Sequence, residues 1–226
     1  MDPLTRLEQL EPAAPLADVL AFYDGLPPVT PEAMIGRWKG GEIATGHLYD
    51  GLLGPSGWWG KDFRSPDEVD PLLFERDGKL FAGNPALIPL GLIERFPRLA
   101  KSAAAARLFR SVSPLLRTNK PRARLRLLTY RGATSAAMIY DAHPIADCFR
   151  SVTPDVLLGA MDIRGHSAPY MFTLRRVAAP SLRGRRPAPT CRRHVRPPIS
   201  PDRLLPDPAG SRRRLRHLPV WRLGAD

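Results

Sequence analysis

The sequence predicts an α+β protein built on a small antiparallel β-barrel, with amphipathic helices over one opening. Three observations carry this prediction. Residues 36–40 read Gly-Arg-Trp-Lys-Gly, a tryptophan centred in a short strand with a glycine two places away on each side. Such a strand suits the start of a closed barrel: the indole plugs one end, and glycines on the same face leave room for it. From residue 122 onward, strand-like runs are joined by short turns, which suits an antiparallel meander, since parallel crossovers need longer connections. Between them, apolar residues at 87–117 recur near helical spacing.

The elements follow in order. Residues 1–30 form an N-terminal helix and linker. Within them residues 15–25 place Leu16, Val19, Leu20 and Tyr23 on one helical face, with Gly25 as the stop. Pro27 and Pro28 break the chain, and Thr30-Pro31-Glu32 offers an N-cap followed by proline at the first helical position. Residues 31–86 then form a domain with a first strand at 35–42, a turn or single helical turn at 46–55, and a second strand at 58–63. Adjacent strand residues face opposite ways, so only one of Trp58 and Trp59 points inward. Ser65-Pro66-Asp67-Glu68 reads as a helix start leading into Val69, Leu72, Leu73 and Phe74. Residues 79–83 read as a short strand.

Residues 87–121 form a basic amphipathic helical segment. Leu92, Ile93, Phe96, Leu99, Leu108, Phe109, Val112, Leu115 and Leu116 supply the apolar face, and Pro97 and Pro114 divide it. Arg95, Arg98, Lys101, Arg107 and Arg110 fill the polar positions. Residues 122–176 complete the barrel. Arg122, Arg124 and Arg126 alternate with Ala123, Leu125 and Leu127, a period of two. Strands follow at 134–141, 145–152, 156–163 and 170–175, with a break at His143-Pro144.

Charge is unevenly spread. The 226 residues carry a formal +12, but residues 177–226 alone hold 12 Arg against three acids. These fifty residues contain nine prolines, no Lys, and Trp221 as their sole aromatic, a composition that predicts disorder. Two readings of them are open. One is a reading frame shifted near Arg176 in a GC-rich gene. The other is a basic tail that binds nucleic acid or an anionic membrane. The tail lacks the interleaved aromatics a single-strand binder uses, which disfavours a nucleic-acid partner; resequencing the gene separates the two. Within the first 176 residues, 1–86 are net −7 and 87–131 net +10.

The two cysteines, Cys148 and Cys191, lie far apart without metal-ligand spacing, and Cys148 reads as a buried free thiol. No apolar run reaches membrane-spanning length, and the first residues lack the order of a secretory signal. The expected location is cytoplasmic.

Two blocks in the expected order resemble a known family. Gly36-Arg37-Trp38-Lys39-Gly40-Gly41-Glu42 and Gly57-Trp58-Trp59-Gly60-Lys61 resemble the bacterial GXWXG protein family. Met138-Ile139-Tyr140-Asp141, Pro144-Ile145, Asp147, Phe149-Arg150, Leu158-Gly159, Met161-Asp162, Phe172 and Leu174-Arg175-Arg176 resemble its partner, the domain of unknown function 4334. The resemblance covers residues 31–176. It implies a small lipocalin- or calycin-like barrel and carries no assigned chemistry.

Candidate chemistry is sparse. Trp38, Trp58, Trp59, Phe96 and Phe109 are the aromatic candidates for contact with an apolar ligand, set against the simpler role of core packing. Arg124 or Arg126 would anchor a ligand carboxylate, and Leu92, Ile93, Phe96, Leu108 and Phe109 would form a lid. The expected ligand is an apolar or amphipathic small molecule such as a fatty acid or lipid, since barrel mouths are natural binding sites. Asp141, His143 and Asp147 are the enzyme-like group, an imidazole near two carboxylates suited to a hydrolase or isomerase. The competing account is a polar turn whose carboxylates satisfy backbone amides. His47 and His166 raise haem ligation, which no spacing demands; no cofactor and no metal are expected. The third function class is a peripheral partner of an anionic membrane, through the basic segments. Whether the barrel interior is filled or hollow decides among these, and eight strands permit either.

Overall fold

The computed structural model describes residues 1–11 and 13–177. The expectations for the tail beyond residue 177 therefore fall outside the described residues. Eight antiparallel strands close into one barrel. They are β1 (Gly36–Glu42), β2 (Trp58–Ser65), β3 (Glu68–Arg76), β5 (Ala123–Tyr130), β6 (Ala133–Tyr140), β7 (Ile145–Thr153), β8 (Val156–Ile163) and β9 (Tyr170–Arg176). A ninth, β4 (Lys79–Ala82), extends β3 as a hairpin. Each of the eight pairs with the next of them, β3 reaching past β4 to β5, and the ring closes between β1 and β9, where Trp38 lies opposite Arg176 and Glu42 opposite Phe172. The join between β3 and β5 is thin, with Val69 opposite Ala123.

Helices α1 (Pro3–Leu10) and α2 (Leu16–Asp24) pack outside the barrel. The first was not foreseen, although Asp2 caps it, accepting from the Thr5 amide at 3.2 Å, with Pro3 at its first turn. Leu7, Leu10, Val19 and Tyr23 form a second core with the outward residues Val152, Leu158, Ala160 and Met171. The short helix α3 (Pro31–Met34) starts as read, with the Thr30 hydroxyl accepting from the Ala33 amide at 3.3 Å. After the single turn α4 (Leu53–Ser56), the helices α5 (Leu90–Arg95), α6 (Pro97–Ala100) and α7 (Ala103–Val112) lie over one end of the barrel.

Two local expectations are corrected. Residues 68–76 form strand β3, not a helix. Pro66 and Asp67 make a tight turn in which Ser65 pairs directly with Glu68, and the following apolar run is a buried strand. The glycines of the Gly-x-Trp-x-Gly strand also serve another purpose. A Cβ on Gly40 would lie 2.0 Å from the Trp58 ring, so that glycine makes room for Trp58 rather than Trp38.

Trp38 itself is fully buried at the closed end. Its indole Nε1 donates to the Met34 carbonyl at 2.7 Å, and the Arg176 guanidinium stacks 4.1 Å from the ring centroid. Arg176 is held in turn by the Ala33 and Ile35 carbonyls at 2.6 and 2.8 Å and by Asp155 at 3.0 Å. No helix among the described residues is long and apolar enough to cross a membrane.

Candidate functional site

The barrel is hollow towards its open end. A cavity of about 580 Å³ runs from the barrel interior to the underside of α5–α7. Its walls are overwhelmingly apolar, from Trp58, Leu72, Phe74, Ile145, Met161 and Phe172 on the strands to Ile88, Ile93, Phe96 and Phe109 on the lid. A buried ion pair sits deep within it. Lys61 of β2 and Asp147 of β7 form an ion pair, Nζ to Oδ2 2.8 Å, with side-chain exposures of 4% and 0%.

A break in strand alternation creates this pair. Trp58 points inward, so a regular strand would send Gly60 and Asp62 inward as well. Instead the β2–β3 register slips between Trp58 and Gly60 and again between Gly60 and Asp62. Gly60 takes φ +153°, and a Cβ there would sit 2.0 Å from the Trp38 carbonyl oxygen. The bulge turns Lys61 and Phe63 into the barrel and Asp62 outward, where it pairs with Arg37 at 2.9 Å.

Inside, Lys61 is fully engaged. Besides Asp147, its ammonium donates to the Pro71 carbonyl at 3.2 Å and the Tyr140 hydroxyl at 3.4 Å. The rings of Phe172, Trp58 and Tyr140 lie 5.1, 5.6 and 5.7 Å from Nζ. The Pro71 and Tyr140 oxygens thus take two of its three hydrogens, and Asp147 Oδ2 is a close charge contact beside them. Asp147 is less well satisfied: both carboxylate oxygens are buried without a hydrogen-bond donor of good geometry among the described residues, Oδ2 having the ion-pair contact to Lys61 and Oδ1 nothing. Burial pushes its carboxyl above the ordinary range, with Lys61 pulling the other way. Burial likewise keeps the Tyr140 phenol protonated far beyond its usual range.

The expected aromatic and basic contacts separate. Trp58, Phe96 and Phe109 line the cavity. Trp59 faces outward beneath Lys39, whose Nζ is 5.7 Å from its ring. Trp38 closes the far end and is not part of the lining. Arg124 and Arg126 lie on the outer barrel face, where they pair with Asp141 at 3.3 Å and Asp67 at 2.7 Å. They cannot anchor a ligand in the cavity, because their odd-numbered neighbours Ala123 and Leu125 take the inward positions.

The group Asp141, His143 and Asp147 is also divided. Asp141 is exposed at the end of β6. His143 lines the cavity rim, but its Nε2 is hydrogen-bonded to the Pro85 carbonyl at 2.8 Å. Only Asp147 reaches the interior. Its true partner, Lys61, was missed because the bulge at Gly60 hides its inward direction from a parity count.

His47 and His166 stack on each other with centroids 5.6 Å apart, just behind the cavity-lining Tyr49 and Tyr170. They belong to a latch. Glu94 of α5 accepts from the Tyr49 hydroxyl at 2.6 Å and lies 3.2 Å from His166 Nε2, tying the lid to two loops. The Tyr49 hydrogen bond, helped by His166, holds the Glu94 carboxyl below its ordinary range against the opposing effect of burial. Among the described residues, no group of three or more His, Cys, Asp or Glu is placed to hold a metal ion.

Fold and cavity together define a class: a closed antiparallel barrel, hollow at one end, with a helical cover and a buried ion pair at its floor. Residues 21–78 match the GXWXG protein family, and residues 121–176 match the domain of unknown function DUF4334, in that order. A crystal structure of a protein from Thermomonospora curvata is similar across 79% of this chain and all of its own, at 32% identity and a TM-score of 0.58. No curated protein matches the sequence. The chain belongs to the GXWXG family with a following DUF4334 domain.

Proposed function

We propose that the protein binds an amphipathic small molecule in the barrel cavity, its apolar body against the walls and a neutral hydroxyl-bearing head at Asp147 and Tyr140. The observation that carries this reading is the buried Asp147 Oδ1, an acceptor without a donor in an apolar cavity of about 580 Å³. That size falls in the usual range of small-molecule sites. A buried acceptor left unsatisfied costs about 1–3 kcal/mol, which a ligand O–H would recover. The Tyr140 hydroxyl accepts from Lys61 and keeps its own hydrogen to donate to the same ligand oxygen.

A hydroxyl is favoured over the fatty-acid carboxylate first expected. Lys61 is already neutralised by Asp147 and donates to Pro71 and Tyr140, and a carboxylate would bring a second anion against Asp147 in a low-dielectric floor. The test is displacement of a neutral fluorescent probe, Nile red, by matched series of n-alkanols and n-alkanoic acids, beside mass spectrometry of natively purified protein. Alkanols should displace the dye more strongly than acids of equal length, and Asp147→Asn should erode that preference. Stronger displacement by the acids would overturn the head assignment. No displacement by either series, with no co-purifying small molecule, would overturn binding altogether.

A further inference from the structure

We propose that the outer surface of the lid docks on an anionic membrane, so that the cavity mouth opens against lipid. Seven of the ten large apolar side chains exposed among the described residues lie between residues 87 and 115. They include Leu115 at 81%, Leu99 at 67% and Leu108 at 65% exposure. Isolated exposed apolar residues need no explanation, but a concentration on one short segment does.

The same segment is strongly basic. Arg95, Arg98, Lys101, Arg107, Arg110 and Arg117 are all exposed, and none forms an ion pair within the described residues. The outer strand arginines behave differently: Arg124, Arg126 and Arg131 each have an aspartate partner. Glu94, the lone acid of the segment, is occupied in the latch with Tyr49 and His166. Basic and apolar side chains together on short helices suit the interface of an anionic bilayer, where cations meet headgroups and apolar chains enter the acyl boundary.

Charge complementarity selects this occupant. A second copy placed by two-fold symmetry would set the same cations against each other. The cavity supplies an independent argument. Leu92, Phe96, Leu99 and Leu108 are exposed and also line the cavity. The mouth therefore lies within the apolar and basic surface, and an amphipathic molecule can pass between bilayer and cavity without crossing water.

The docking does not depend on the head-group reading, and its test keeps the two apart. Full-length protein is floated with phosphatidylcholine vesicles, with and without phosphatidylglycerol, over a range of salt, and amide hydrogen exchange is mapped on the bound protein. Binding should require the anionic lipid, weaken as salt rises, and protect residues 87–116. Two variants spare the cavity lining: Arg95→Glu/Arg98→Glu/Arg107→Glu and Leu87→Ser/Val112→Ser/Leu115→Ser. Each should lower vesicle binding by more than about tenfold, as polybasic and apolar interfacial contributions imply. Each should also keep the wild-type melting temperature and alkanol displacement in lipid-free solution. Vesicle binding with protection confined to residues beyond 177 would overturn the proposal. So would unchanged binding of both variants, or lid protection that arises from self-association without lipid.

Discussion

Taking an ammonium and a carboxylate out of water costs several kcal/mol per ion, which only good geometry and added hydrogen bonds offset. Lys61 has two added hydrogen bonds, while neither Asp147 oxygen has one. Stability alone does not account for such a pair, and its removal should show this. Lys61→Met should destabilise the protein by about 3–5 kcal/mol, because it leaves a buried carboxylate unpaired. Lys61→Met/Asp147→Leu should recover most of that loss in denaturant melts while losing the alkanol preference. The single variant should also respond to pH. The Asp147 carboxyl is raised by burial even beside Lys61. A raised acid favours the fold when protonated, so that contribution is complete below the unfolded value of about 4 and fades as pH rises through the folded one. The stability deficit of Lys61→Met should therefore narrow towards acid pH. Asp147 could be singled out from sequence only as one carboxylate of the Asp141, His143 and Asp147 group. Lys61 could not, because its direction depends on a bulge that one glycine permits and the alternating pattern conceals.

Among the elements, the lid was the most legible. Apolar spacing and the prolines at 97 and 114 marked its helices, and Phe96 and Phe109 were expected at the cavity. The latch that fixes it was not legible, since Tyr49, Glu94 and His166 are far apart in sequence and carry no local pattern. Glu94 is depressed chiefly by the Tyr49 hydroxyl. A depressed carboxyl adds stability above the unfolded value of about 4.3 and loses it as pH falls through the folded one. Amide exchange in residues 87–116, corrected for intrinsic rate, should hold steady from neutral pH to about 5 and then accelerate below about 4. Glu94→Gln should accelerate it at neutral pH and abolish the acid step. Strand β3 shows the opposite failure. Ser65 and Glu68 have the spacing of a capping box, yet the turn between them is only Pro66-Asp67, and a short apolar run reads equally as strand or helix.

At the scale of the molecule, the closed end and the open end divide the work. Trp38, Arg176 and the two buried cores fix the barrel, and the described residues leave the space for a guest at the other end. A guest that binds only the folded state should raise the melting temperature. At a hundredfold excess over its dissociation constant it adds about 2.7 kcal/mol, roughly 5–10 °C for a chain of this size. Thermal scans with the tightest alkanol should show this shift in the wild type and a smaller one in Asp147→Asn. The barrel itself was legible because its signs are periodic: alternating strands, short turns and the glycine-flanked Trp38. The hollow was not, since nothing in the order of residues states how far Phe172 and Trp58 stand from Phe109 across the interior.

The seam between β1 and β9 has a consequence for synthesis. Glu42 leaves the ribosome 134 residues before Arg176, and at the usual 5–20 residues per second the first strand waits roughly 7–27 s for its final neighbour. Throughout that interval one edge of the newborn hairpin has open amides and carbonyls, and Trp38 has no guanidinium to shelter it. Nascent chains stalled before Tyr170 should therefore recruit chaperones, and those released after Arg176 should not.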